Sequence, residues 1–421
     1  MQRYGFAIKT FGCKVNRYES QIIRENLIRM GFYEVSPDEA DVIVLNTCTV
    51  THQADSKTRQ FIRKAKKARP SARIFVTGCF AVLNDDIKAL ESMKEVFMVV
   101  PKKEKESIFS GICGSFGEPF DLSLIGMAAS HFRPQARAFL KVQDGCDQKC
   151  SYCKVNLVRG PSRSRDETEI LDEFKRYYAS GHREIVVTGI CLGSWKGRKG
   201  EGLARLIDNI CSHDGDFRIR LSSIEPNHID GELIRSIKHN PKVCKHLHIP
   251  LQSGSDNVLK AMGRRYGTEQ FVSLISSIRK SIPYAGISMD IIAGFPGETP
   301  DDFNYTRDLL RVVRPSRLHV FRYSEREGTP AFALSGKVPP DEAKKRVEAL
   351  IRLGKEFQIE FCKSFIGKEV TILAEDVRGN VVSGYTGEYV RAEFTSADAR
   401  KGELVDLVPD SIDIETATLR A

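Results

Sequence analysis

No stretch of this 421-residue chain approaches the roughly 18 consecutive apolar residues that a membrane helix needs. The amino-terminal MQRYGFAIKT is polar and basic before it turns strand-like, and it lacks the apolar core of a secretory signal. No membrane association is expected, and a cytoplasmic protein is. Low-complexity tracts and internal repeats are missing too, which removes solenoids and disordered scaffolds from the possibilities. A hydrophobic share of 41% against 28% charged is the balance of a soluble globular protein, and the length allows about two to four domains with their own cores. Acidic residues are absent from Lys57 to Arg73, KTRQFIRKAKKARPSAR, where 8 residues are Lys or Arg. A second C-x2-C pair is missing as well, which weakens a structural zinc site, since those close four ligands from paired knuckles.

What is present sharpens these exclusions. Eleven cysteines in a reducing compartment point to metal or redox chemistry sooner than to disulfides. A net charge of +9 suggests a polyanionic partner. The last segment, Phe365 to Ala421, holds 6 basic against 11 acidic residues, so a nucleic-acid footprint is expected nearer the amino terminus.

The organisation is α/β. Apolar strand-like runs alternate with helical patterns from the start: FAIKTF with a helix near Tyr18 to Met30, DVIVLN with the basic helix, RIFVTG, then VFMVV. Such alternation predicts a parallel sheet flanked by helices over 1–112. Small residues and Gly in GICGSFGEPFDLSLIGMAASHFRP predict a linker over 113–135. Six further strands follow in RAFLKVQ, EIVVTG, FRIRLSS, HLHIPLQ, GISMDIIAG and SRLHVFRYS, too few for a closed eightfold barrel, so 136–364 is expected to form a partial (βα)6 barrel. A long helix near Asp341 to Ser364 leads to 365–421, where alternating strands and Gly turns predict a small antiparallel β-barrel of about five strands.

Ligands bind at the carboxyl ends of parallel strands, where loops converge. Three early strands end in TFGC, LNTC and VTGC and deliver Cys13, Cys48 and Cys79 to one edge. In the barrel region, GCDQKCSYC follows the first strand, TGICLG the second, SSIEP the third, PLQSGSD the fourth, GFPGET the fifth and SEREGTP the sixth. Cys146, Cys150 and Cys153 have C-x3-C-x2-C spacing. A cubane iron-sulfur cluster wants one thiolate per iron, so three cysteines leave one iron open to an exogenous ligand.

GCDQKCSYC, with Tyr152 before its last cysteine, resembles the cluster loop of radical S-adenosylmethionine (SAM) enzymes, and the whole chain is similar to their methylthiotransferase family. TFGCKVNRYES, RGPSRSR, RIRLSSIEP and PLQSGSDNVLKAMGRRY most resemble the branch that methylthiolates threonylcarbamoyladenosine at tRNA position 37. The resemblance implies two 4Fe-4S clusters. One would sit on Cys146, Cys150 and Cys153, its open iron binding SAM. An auxiliary one would sit on Cys13, Cys48 and Cys79 and carry the sulfur that one SAM methylates. A second SAM is then cleaved to a 5′-deoxyadenosyl radical that takes the hydrogen from adenine carbon 2, and the clusters stand close enough for one adenine to reach both. It further implies a TRAM domain over 365–421, a radical SAM domain over 136–364, the tRNA anticodon stem-loop as partner, a monomer, and an electron donor and sulfur source that the sequence does not identify. Around SAM it suggests Tyr152, Thr188, Gly189, Ser223, Glu225, Gln252, Gly294 and Gly297. The same chemistry on isopentenyladenosine or on an aspartate of a ribosomal protein is a rival, as is a non-catalytic Fe-S protein that binds RNA.

Blander roles compete for the remaining residues. A charge run is usually a solvated face, yet Arg59, Arg63, Lys66 and Lys67 share one helical face and a tRNA needs phosphate neutralisation, so RNA contact is expected there. Cys113, Cys191, Cys211, Cys244 and Cys362 read as structural thiols, Cys191 at the barrel rim being the one most apt to do more. Glu225 and Glu298 read as cofactor contacts or loop caps, not as an acid-base pair. His246 and His248 read as satisfied core or rim histidines, and Tyr385 and Phe394 as core aromatics.

Overall fold

The computed structural model describes residues 4–49, 52–104, 106–126, 128–132 and 135–421. Contacts divide the chain into two compact units: residues up to Ser130 together with Cys153–Pro161, and His131–Tyr152 together with Ser162–Ala421.

The first unit is built on five parallel strands, in the order Tyr33–Glu34, Gly5–Thr10, Val42–Thr47, Arg73–Gly78, Met98–Val99. Every residue of Val42–Thr47 is buried, as a strand covered on both faces requires. Successive side chains divide between two cores. Ile43, Leu45, Ile74 and Val76 pack with Ile62 and Ala65 of the basic helix His52–Ala68. Val42, Val44 and Phe75 pack with Ile23 and Leu27 of Lys14–Arg29 and with Ile108, Phe109 and Ile112 of Ser107–Ser115. That last helix runs into the stretch expected as a linker. Cys113 closes its core contact, and Phe116, Phe120 and Ile125 continue onto the same cluster, so apolar burial holds to this unit what small residues and glycines suggested was a connection.

The second unit contains the six expected parallel strands as two ladders. Arg137–Lys141, Glu184–Thr188 and Arg218–Leu221 form one, and His246–His248, Gly286–Ala293 and Arg317–Arg322 the other. Single parallel bridges, Ile219 to Val243 and Ser223 to His248, join them. Helix Pro340–Lys363 packs on the last strand so closely that a Cβ at Gly354 would stand 2.8 Å from the Leu318 Cβ. The final segment is a six-stranded sheet, one strand more than expected, and its Arg391–Thr395 and Thr418–Arg420 pair is parallel. This β-domain belongs to the second unit because it seats on the amino ends of the barrel strands. Arg218 donates to the Thr371 and Tyr385 carbonyls at 2.9 and 2.7 Å, and Arg220 to Thr386 and Gly387 at 2.8 and 3.0 Å.

Candidate functional site

In the first unit the strand order reverses beside Gly5–Thr10, and the crevice at such a switch point lies at the carboxyl ends of the strands. Cys13 follows the first strand and sits at the N-cap of Lys14–Arg29, with no capping bond from its side chain. Cys48 directly follows Val42–Thr47, and Cys79 directly follows Arg73–Gly78. The loops converge: a Cβ at Gly12 (φ +103°) would lie 2.8 Å from the Cys48 Cβ and 3.0 Å from its sulfur. Cys79 donates its backbone N–H to the Thr47 carbonyl at 2.9 Å. Asn16 holds the arrangement, donating to the Phe11 and Thr47 carbonyls at 2.9 and 2.8 Å. Cys48 and Cys79 are buried, while Cys13 remains open to solvent. Protein packed around Cys13 still pushes its thiol pKa up, opposed by the Arg159 guanidinium and reinforced by nearby Cys79. Arg159 itself is buried, donating to Asn16 Oδ1 at 2.6 Å and pairing with Glu19 at 3.3 Å.

In the second unit the cluster loop follows Arg137–Lys141. Its sulfurs are met by donors: the Gln148 N–H reaches Cys146 at 3.4 Å, and the Arg264 guanidinium reaches Cys150 at 3.2 Å. The Val155 N–H reaches Cys153 at 3.5 Å, within the segment Cys153–Pro161 that belongs to the first unit. Cys146 is lowered chiefly because the Cys191 thiol donates to it, and Cys191 is correspondingly raised. Donors aimed at sulfur, in place of partners for a neutral thiol, are the environment of a thiolate metal ligand. At the strand-end site the Cys13 thiol instead donates to Asn16 Oδ1 at 3.6 Å; three cysteines in each set match the number that a cubane with one open iron would need.

Around the loop, Ser151 is clamped on both sides, donating its N–H to Met262 at 2.9 Å and accepting from Ala331 at 2.8 Å. Tyr152 packs against Val258, Met262 and Phe295. Thr188 ends its strand buried, and a Cβ at Gly189 would meet Gln143 Oε1 at 2.8 Å. Gln143 ties two loops together, accepting from the Cys191 N–H at 2.8 Å while donating to the Gly145 carbonyl at 2.8 Å. Ser223 makes the bridge to His248. Glu225 takes the Arg264 guanidinium, which opposes the rise that burial gives its carboxyl pKa. Gln252 adopts φ +69°, a left-handed conformation uncommon without glycine, and is fixed by backbone bonds to Asp290 and Ile292 at 2.8 and 2.9 Å. Gly294 (φ +77°) leaves only 2.8 Å between an added Cβ and Ala343, and the Gly297 N–H donates to Gly336 at 2.8 Å.

Residues 5–100 match the model described as Uncharacterized protein family UPF0004, and 140–310 match the Radical SAM superfamily. The Threonylcarbamoyladenosine tRNA methylthiotransferase MtaB of Thermotoga maritima is 39% identical, over 92% of this chain and 90% of its own. The MtaB of Bacillus subtilis is 35% identical over 95% and 92%. The chain belongs to the MtaB methylthiotransferase family. Among solved structures, the radical S-adenosylmethionine methyltransferase TsrM from Kitasatospora setae shares the fold, with a TM-score of 0.53 at 14% identity over 79% of this chain and 77% of that one.

For this MtaB-family chain the residues expected to share RNA contact separate. Arg59, Arg63 and Lys67 are exposed on His52–Ala68. Lys66 instead turns back, donating to the Ala72 carbonyl at 2.8 Å and closing the helix end. Glu298 is a loop cap: it accepts from the Gly294 N–H at 3.1 Å and pairs with Arg346 at 2.6 Å. With both Glu225 and Glu298 held by arginines, neither is a free acid or base. Tyr385 stacks on Tyr389 at 4.7 Å, and Phe394 packs on the β-domain core, as expected. His246 bonds Ser288 at 2.8 Å. Arg159, Arg264 and Gln143 were not anticipated individually. The first two lie in quoted motifs, but their partners are 143 and 114 residues away, so no local pattern names them. No helix among the described residues is long and apolar enough to cross a membrane.

Proposed function

We propose that this chain is a radical SAM methylthiotransferase that installs a methylthio group on carbon 2 of N6-threonylcarbamoyladenosine at position 37 of tRNA. The observation that supports the reading is the two sets of three cysteines at strand carboxyl ends, each of which would leave a fourth cluster position to an outside ligand. Relatives named for this activity match along 90% or more of their own length. The two 4Fe-4S clusters and SAM, when bound, supply reductive cleavage and sulfur. The chain's share is positioning. Arg264 and the Gln148 and Val155 amides stabilise charge on the loop sulfurs, and Gln143 sets the Gly189 turn against that loop. Asn16 and Arg159 fix the switch-point crevice around Cys13.

The remaining assignments follow from this reading. SAM would contact Tyr152, Thr188, Gly189, Ser223, Glu225, Gln252 and the Gly294–Gly297 turn, and phosphates of the anticodon stem-loop would meet Arg59, Arg63 and Lys67 in the cytoplasm. The carboxyl-terminal β-domain would be the TRAM domain, and the protein would act as a monomer fed by an electron donor and a sulfur source. The deciding experiment is a nucleoside digest of tRNA from a deletion strain, read by mass. The methylthio form of threonylcarbamoyladenosine should vanish and return with the cloned gene. Loss of methylthio-isopentenyladenosine instead would transfer the chemistry to that substrate.

A further inference from the structure

One layer of the barrel interior is used by neither cysteine site. Tyr389 lies 4.9 to 5.6 Å from the guanidiniums of Arg137, Arg220 and Arg317 and stacks on His246 at 4.8 Å. Residues of four barrel strands thus converge on one ring, which identifies the face they share as the interior. Strand register then places His248, Asp290 and His319 on that same face, since His248 pairs with Ser288, Ser288 with Arg317, and Asp290 with His319. Ile287, Met289 and Ile291 occupy the opposite face and are buried.

The three side chains are polar, half-buried and close. One donor atom from each falls within 4.8 Å of the others. The His248 and His319 rings are nearly parallel at 11°, with centroids 5.4 Å apart. His248 Nε2 comes within 2.9 Å of Asp290 Oδ1, yet this nitrogen makes no hydrogen bond. The contact is close but off the line a proton would follow, as when two lone pairs are aimed at a third point. Beside Ser223, which bridges to His248, the Ser222 hydroxyl is buried and also meets no partner. Two imidazoles and one carboxylate form a hard-to-borderline donor set that leaves coordination positions open.

We propose that His248, Asp290 and His319 bind one divalent first-row transition ion through nitrogen and oxygen, separately from the cysteine sites. The test uses full-length protein with both clusters reconstituted anaerobically. Mn(II) is titrated in, and free aqua-Mn(II) is read by room-temperature EPR, where the clusters are silent. About one Mn(II) per chain should be taken up, with affinity at least about tenfold lower in Asp290→Asn and in His319→Gln at unchanged iron content. Absence of uptake, or uptake equal in both variants, overturns the site. Should a variant lose iron through misfolding, the wild-type protein still decides. Electron spin-echo modulation of its bound Mn(II) should show imidazole nitrogen, and a spectrum with oxygen ligands only overturns the proposal.

Discussion

The two sets of three cysteines are gathered by opposite routes. Cys146, Cys150 and Cys153 lie within eight positions of one loop, so covalent connection does most of the gathering. Cys13, Cys48 and Cys79 come from the ends of three strands, and only the 2-1-3-4-5 order of the parallel sheet brings them to one crevice. A loop site is set by spacing and tuned by neighbours, whereas a strand-end site is set by topology and is only as good as the packing that aligns the strands. The surroundings differ to match. Strands of the first unit are apolar on both faces, while the barrel interior holds arginines, histidines and acids.

The largest effect that would break the comparison comes from the ligands themselves. Replacing Cys48 or Cys150 by Ala should each lower anaerobically reconstituted iron from about eight to about four per chain. The Cys48→Ala protein should still cleave SAM to 5′-deoxyadenosine and fail to insert sulfur; Cys150→Ala should do neither. If Cys48→Ala also loses cleavage, the division of labour between the sites is wrong.

Next in size is the polar floor of the barrel. Glu184 is fully buried; burial alone would raise its carboxyl pKa, but Arg220, Arg137 and Arg218 together hold it well below the usual carboxylate range. A carboxyl depressed in the folded state stabilises the fold above its unfolded value and stops doing so as pH falls through the folded one. The second unit should therefore lose stability as pH falls below the ordinary carboxylate range; in the first unit buried Glu19 faces Arg159, where Glu184 faces three arginines. Removing the charge by Glu184→Gln strands three guanidiniums and should cost about 3–5 kcal/mol, read as a lower midpoint of denaturant unfolding. A loss under 1 kcal/mol would mean that solvent, not Glu184, balances the arginines.

Both sites rest on a glycine that no other residue replaces without movement. A Cβ at Gly12 would strike Cys48, and one at Gly263 (φ +72°) would stand 2.8 Å from the Lys149 carbonyl under the cluster loop. Each Gly→Ala change costs about 1–3 kcal/mol of backbone strain. The topological site should be the more fragile: Gly12→Ala should lose the auxiliary iron, about four per chain, whereas Gly263→Ala should keep its iron and bind SAM more weakly. Equal iron loss in both would erase the distinction between spacing and topology.

How far the sequence could be read follows the same line. Strand endings were legible because apolar runs stop at TFGC, LNTC and VTGC, and the loop was legible because its spacing is local. The helix Ser107–Ser115 was cut short because its burial depends on Phe75 and Val44, which no window around GICG contains. Lys66 looked like its neighbours on the helical face, and only the return of the chain at Ala72 gives it a partner. His246 and His248 were legible only as core or rim histidines of one strand, because the approach of Asp290 and His319 requires the parallel order of three strands. Contacts that cross strands are set by topology, and a linear pattern carries the topology without the distances.

The finest test concerns a residue that looked incidental. Cys191 is buried, anchored by its own N–H to Gln143, and its thiol neighbours the Cys146 sulfur, whose pKa it lowers, while His228 Nδ1 stands 3.7 Å from it. Hydrogen bonds to cluster sulfurs stabilise the reduced, more negative state and so raise the potential. Cys191→Ala should leave iron content and fold unchanged but lower the midpoint potential of the loop cluster, whose Cys146 it neighbours, and leave the other cluster's unmoved. A stronger reductant would then be needed for the same rate of SAM cleavage. If potentiometric titration followed by EPR shows both clusters unmoved, the Cys191 thiol is packing, and the tuning of this site lies with Arg264 and the backbone amides.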